Sequence, residues 1–174
     1  MWKDFAVKLT PLPTPGGERG VQKYLHFVKV GACAGDEACY TYMLDWMAHA
    51  VQNQWAKPEV AIILFGGQRD GKGVVIREFA QLFGKHFQQV AHSRHFTGHF
   101  NAMLSDCILL FIHEAVNNPR DAHIVMWPIE NADRRVHLMK VSSLFNRNYV
   151  FFKELCNSMD EGGREYLVHI LQIK

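Results

Sequence analysis

The sequence predicts an α/β fold in which a parallel sheet is flanked by helices. Three short apolar runs, at residues 60–65, 107–112 and 123–127, are typical of strands that are covered on both faces. Segments beside them carry apolar residues at three- and four-residue steps, which indicates amphipathic helices. Strands that alternate with helices favour a parallel sheet.

Length and composition are those of one globular domain. The chain has 174 residues, of which 48% are hydrophobic and 21% charged. No run of about 18 apolar residues could span a bilayer, so no membrane association is expected. The first residues, MWKDFAVKLTPLP, lack the order of a secretory signal, which predicts a cytoplasmic protein. Disulfides are not expected in a reducing cytoplasm, and a zinc site is not expected because the four cysteines form no C-x-x-C pair.

The N-terminal part is predicted to be an extended lead-in over residues 1–36. Its segment LTPLPTPGGERG carries three prolines and three glycines, which disfavour both a helix and a central strand. The single domain is then expected to span 37–174. It opens with a helix over 37–56, whose first turn follows the acidic pair Asp36-Glu37.

The rest of the domain divides into a sheet core over 60–140 and C-terminal helices over 141–174. After the strand at 60–65, a glycine-rich loop leads into a helix over 73–86 and a short strand at 87–91. The strands at 107–112 and 123–127 follow. Two helices, at 148–159 and 164–173, are separated by Gly162-Gly163.

The loop between the first strand and the next helix has the pattern Gly66-x4-Gly71-Lys72. In that context, flexible glycines let backbone N–H groups surround phosphate oxygens while the lysine reaches the outer phosphates. A glycine-rich turn without a ligand is the alternative, but it does not explain the lysine. The candidate nucleotide-binding residues are Gly66, Gly67, Gln68, Gly71, Lys72, Gly73 and Val74.

Two features of this loop weaken the expected chemistry. The hydroxyl that should follow the lysine and ligate magnesium is absent, because Gly73 and Val74 stand there. Asp70 also brings a carboxylate to the place of the triphosphate. Two unit charges about 4 Å apart repel by roughly 1 to 4 kcal/mol, an effect that Arg69 partly offsets. We therefore expect weak or absent binding of Mg²⁺ and weakened binding of ATP.

A second motif ends the run ILLFIHEA. Its acidic residue, Glu114, follows an apolar strand, at the edge where such sheets collect ligands, and is the candidate base for an attacking water. An aspartate is expected before it, to hold the metal's water shell, but His113 occupies that position. The alternative is that both residues form an ordinary polar strand end.

Five segments together resemble the helicase domain of phage and prophage primase-polymerase proteins, a group similar to superfamily 3 helicases of the AAA+ class. They are LDWMAHAVQ, GGQRDGKGVVIREFAQLFGKHFQQV, SRHFTGHFNAMLSDCILLFIHEA, NADRRVHL and EGGREYLVHIL. In that family the loop reads GGQGTGKGT and the acidic strand ends in ADEA. Arg69, Asp70, Val74 and His113 depart from this pattern.

The resemblance implies an AAA+-like P-loop NTPase fold with ATP and Mg²⁺ as cofactors and single-stranded or forked DNA as a partner. It also implies a homo-oligomeric ring and an associated primase-polymerase module. By this resemblance the nucleotide loop consists of Gly66, Gly67, Gly71, Lys72 and Gly73, and Glu114 maps to the acidic motif. Arg134 or Arg135 maps to the arginine that reaches a neighbouring subunit's nucleotide.

The interval from Glu114 to Arg134 is too short for all the elements that this family places there. A helix, a strand and two connections already need about 25 to 30 residues, whereas about twenty are present. We infer an internal deletion near residues 117–122 and a smaller loss after Met126. The core is therefore expected to be truncated.

Three functions remain open. The first is a helicase-like ATP-binding module of phage DNA replication with impaired hydrolysis, and the second a catalytically dead relic or scaffold of the same domain. A small-molecule phosphotransferase is the third, since GKG also occurs in nucleoside monophosphate kinases, but an arginine-rich lid is missing. The histidines in HSRHFTGHF lack a carboxylate or cysteine partner, so a solvated loop is favoured there over a metal or nucleic-acid site.

Overall fold

The computed structural model describes residues 4–7, 14–54, 60–90, 107–112, 123–126 and 135–174. Its helices are α1 (Pro15–Phe27), α2 (Glu37–Gln52), α3 (Lys72–Ala80), α4 (Tyr149–Ser158) and α5 (Arg164–Ile173). Its strands are β1 (Val60–Phe65), β2 (Phe87–Val90), β3 (Leu109–Ile112), β4 (His123–Met126) and β5 (Arg135–Lys140).

The five strands form one mixed sheet in the order β2-β3-β4-β1-β5. The pairs β2–β3 and β1–β5 are parallel, as predicted, but β4 runs antiparallel to both β1 and β3. The prediction of a wholly parallel sheet was therefore wrong. Only residues 113–122 connect β3 to β4, whereas a parallel crossover needs about a dozen residues or more. The short connection that suggested a deletion thus accounts for the reversed strand.

Helix α1 contradicts the prediction of an extended lead-in. Thr14 caps the helix by accepting from the Gly17 N–H at 3.0 Å, and Pro15 occupies the first turn, where its missing N–H has no cost. The glycines serve close packing: a Cβ on Gly20 would lie 2.5 Å from the Ser158 carbonyl oxygen. Helix α1 therefore packs directly on the turn that follows α4.

The other helices agree with the sequence pattern. Helix α2 is capped by the Asp36 carboxylate, which accepts from the Cys39 N–H at 2.8 Å, and it ends at Gln52. Helix α3 is shorter than predicted, because residues 81–86 continue as a 3₁₀ turn with Gly84 at φ 50°. Helices α4 and α5 are joined by a turn in which Gly162 has φ 106°, a conformation that favours glycine.

The helices cover one face of the sheet. Ile62, Leu64 and Met139 on that face belong to the main core, together with Phe79 of α3 and Leu167 of α5. The opposite face carries a smaller buried cluster, formed by Ala61, Cys107, Leu110 and Ile112. At the edge strand β5, the side chains of Val136 and Leu138 are 51% and 64% exposed.

A buried ion pair fastens the C-terminal helices to α3. Arg164 at the start of α5 donates through Nε and Nη2 to Oε2 of Glu78, at 3.0 and 2.6 Å. Both side chains are largely buried, with 12% and 5% exposure. Nearby, the Tyr24 hydroxyl donates to the Val75 carbonyl at 2.9 Å, and burial, followed by the charge of Glu78, raises the pKa of Tyr24.

None of the helices in the described part of the chain is long and apolar enough to cross a bilayer.

Candidate functional site

The glycine-rich loop connects the carboxyl end of β1, which lies between β4 and the edge strand β5, to the start of α3. Gly71 has φ 85° and precedes the first helical residue, and its carbonyl accepts from the N–H groups of Val74 and Val75. A Cβ at Gly71 would clash with Phe152 and would lie 2.6 Å from Cζ of Phe27. Glycine is required there both by the left-handed backbone and by this packing.

Lys72 is the first residue of α3 and is only 3% exposed. Its Nζ donates to the Gly67 carbonyl at 2.5 Å. A buried ammonium is costly unless it is paired and hydrogen-bonded, so this contact fixes the side chain across the loop. The ammonium consequently lies against the loop backbone.

Asp70 turns its carboxylate into the same loop and is 1% exposed. Its Oδ2 would lie 3.3 Å from a Cβ at Gly66 and 2.9 Å from a Cβ at Gly67. The carboxylate therefore occupies space that is open because Gly66 and Gly67 have no side chain. A phosphate that entered the loop would have to displace the carboxylate or lie beside it.

A turn before α4 closes over the loop, and the sequence did not reveal it. The Asn146 amide donates from Nδ2 to the Asp70 Oδ1 at 2.6 Å and to the Gln68 carbonyl at 2.7 Å. The Arg147 N–H donates to the Arg69 carbonyl at 3.2 Å. These contacts span more than seventy residues of sequence, so no local pattern could have predicted them.

The first turn of α3 carries no hydroxyl for a magnesium ion. Gly73 and Val74 follow Lys72, and the partly buried Val74 packs against the main core. Within the described residues, no group of three or more histidine, cysteine, aspartate or glutamate side chains is arranged to hold a metal.

The remaining candidates are only partly placed. Glu114, His113 and Arg134 lie outside the described residues, as do the histidines of HSRHFTGHF. The backbone of Arg135 opens β5 in register with Val60, the first residue of β1. The loop follows the last residue of β1, about 16 Å further along the strand at a rise of about 3.3 Å per residue. The backbone of Arg135 therefore lies at the end of the sheet away from the glycine loop of the same chain.

Comparisons with known proteins show the fold. No protein-family model matches the sequence, and neither does any curated protein. Three solved structures of the C-terminal region of NrS-1, all described as apo, are similar, with TM-scores of 0.61, 0.58 and 0.58. Their sequence identities to this chain are 16%, 15% and 17%, over 91%, 94% and 90% of it.

The chain spans about half of each solved chain, 49%, 51% and 48% respectively. At these identities the likeness concerns the fold alone. The chain thus has an α/β fold like that of one half of the NrS-1 C-terminal region.

Proposed function

We propose that the chain is an ATP-binding module of a phage-type replication protein, helicase-like in fold, with little or no ATP hydrolysis. One observation carries the proposal: the Lys72 ammonium contacts the Gly67 carbonyl, inside a glycine loop that joins strand β1 to helix α3. Backbone N–H groups and a lysine are the groups that hold phosphate in such loops.

The replication context rests on two supports. The fold is similar to that of the NrS-1 C-terminal region, and the motifs resemble the helicase domain of phage primase-polymerase proteins. By this proposal the partners are DNA, single-stranded or forked, and further copies of the chain in a ring. The backbone of Arg135 lies at the end of the sheet away from the glycine loop of the same chain. By this proposal, Arg135 therefore acts on the nucleotide of a neighbouring copy.

Impaired hydrolysis is proposed because the loop lacks the hydroxyl that would bind the metal and carries a carboxylate that repels the phosphates. Val74 provides no oxygen for magnesium, and the Asp70 carboxylate occupies the loop. Phosphoryl transfer depends mostly on positioning and on charge stabilisation by the metal. We expect turnover far below about 1 per second, the low end for enzymes, and a measured rate of that order with single-stranded DNA present would contradict this part.

A catalytically dead relic or scaffold is the second candidate. The observation that favours it is the closed loop, in which Asn146 holds Asp70 over the glycines. Such a protein would keep the fold and its packing without binding nucleotide.

Calorimetric titration with ATP separates the two candidates. Weak, saturable binding is expected for the natural chain, and Lys72→Met should abolish it because the ammonium contact to phosphate is lost. Lys85→Met, at an exposed lysine remote from the loop, serves as the matched control. Melting curves establish that each variant is folded. Binding that survives Lys72→Met would contradict the proposed site, and no binding below about 10 mM, a free energy under 3 kcal/mol, would favour the scaffold.

A further inference from the structure

The turn formed by residues 145–148 and the glycine loop make up one rigid rim. Three hydrogen bonds join them: two from the Asn146 amide, at 2.6 and 2.7 Å, and one from the Arg147 N–H to the Arg69 carbonyl, at 3.2 Å. Phe145 anchors the turn from below, with its ring 5.1 Å from that of Phe27. The relative position of the two segments is therefore fixed by packing as well as by hydrogen bonds.

Two arginines stand side by side on this rim. Arg69 and Arg147 have φ of 66° and 55°, a left-handed conformation that is uncommon for residues other than glycine and concentrates at functional sites. Their backbones share the hydrogen bond from the Arg147 N–H to the Arg69 carbonyl, so the two residues are neighbours on the rim. Both residues are exposed.

Arg69 and Arg147 give this rim two exposed positive charges, against the single negative charge of the buried Asp70 carboxylate. No aspartate or glutamate among the described residues forms an ion pair with Arg69 or Arg147. Asp70, the nearest carboxylate in sequence, is buried and faces Asn146. Lys140, which ends β5 beside Phe65, adds a third exposed cation at this edge of the sheet.

We infer that Arg69 and Arg147 form a phosphate-binding site on the outside of the loop, separate from the Lys72 position. Guanidinium groups match phosphate oxygens through paired N–H donors and keep their charge at all physiological pH values. The ligand chemistry is a phosphate oxyanion, supplied either by a nucleotide's polyphosphate or by the backbone of single-stranded DNA. This site does not depend on the proposed nucleotide binding at Lys72.

The test compares pyrophosphate, followed by calorimetry, with a fluorescent oligothymidylate, followed by anisotropy. Arg69→Gln and Arg147→Gln should each weaken binding of one probe roughly fivefold, and the double variant tenfold or more. The control Arg19→Gln replaces an exposed arginine on α1 and should change the affinity for either probe by no more than twofold. If the arginine variants lose affinity for pyrophosphate alone, the site binds polyphosphate. If they lose affinity for the oligonucleotide alone, the site binds a nucleic-acid strand. Equal binding by the double variant and Arg19→Gln, or no binding of either probe, would overturn the inference.

Two further measurements separate this site from other roles. For the oligonucleotide, Arg147→Gln should lower the slope of log affinity against log salt by about 0.7, whereas Asn146→Ala should weaken binding without changing the slope, because it removes no charge. If Lys72→Met abolishes ATP binding but the arginine variants bind both probes normally, only this inference fails. If the arginine variants lose probe binding but Lys72→Met still binds ATP, only the proposed nucleotide site fails.

Discussion

Replacing Asp70 with asparagine should strengthen ATP binding. The carboxylate is 1% exposed and lies across Gly66 and Gly67, so a phosphate in the loop would approach it to about 4 Å. Repulsion at that distance is about 1 kcal/mol at a dielectric of 80 and about 4 kcal/mol at 20. The lower value corresponds to about a fivefold change in affinity, and the burial of the site favours a larger one.

The substitution keeps the geometry of the loop while removing its charge. An amide oxygen can still accept from Asn146, so the turn should stay closed over the loop. Asp45→Asn, at an exposed carboxylate on α2, controls for the change in net charge. Titration calorimetry with ATP is the assay, at fixed ionic strength. An affinity for Asp70→Asn that stays within twofold of the natural chain, or equals that of Asp45→Asn, would refute the argument that this carboxylate opposes phosphate.

Three other predictions concern packing and burial. Gly20→Ala should lower the free energy of unfolding in urea by more than about 1 kcal/mol, because its Cβ would lie 2.5 Å from a carbonyl oxygen. The control Gly16→Ala should be neutral, because its Cβ would lie 3.4 Å from the nearest atom. Equal free energies of unfolding for the two variants would contradict the close packing of α1. Arg164→Met should cost about 3 kcal/mol by leaving Glu78 buried and unpaired, and a cost below about 1 kcal/mol would contradict this. Burial, followed by the charge of Glu78, raises the pKa of the Cys156 thiol to about 11, so its alkylation rate should keep rising with pH past 9, unlike that of an unfolded thiol with a pKa of about 8.5.

Local signals allowed most of the helices and strands to be predicted. Strand β1 has the predicted bounds, since a continuous apolar run between a proline-containing break and a glycine loop has few alternatives. Helix α2 was predicted from its periodicity and its acidic N-terminus. Helix α1 was missed because its proline and glycines were treated as breakers, although Pro15 sits in the first turn and Gly20 is needed for contact with another segment.

Long-range contacts limited the prediction of the site. The placement of Lys72 after a strand and at the start of a helix followed from spacing alone. The role of Asn146 did not, because its partners are 76 and 78 residues away and an asparagine before a helix usually serves as a local turn or cap. The direction of β4 likewise depends on the length of a connection, which strand propensity does not encode.

A titration of isotope-labelled protein with ATP, followed by the backbone amide resonances, tests the central claim most directly. If the loop holds phosphate, the amides of Gly67, Gly71, Lys72 and Gly73 should shift together and saturate with one dissociation constant, and those shifts should vanish in Lys72→Met. Saturable shifts confined to other segments, with the loop amides unmoved, would contradict the claim that this loop binds the nucleotide.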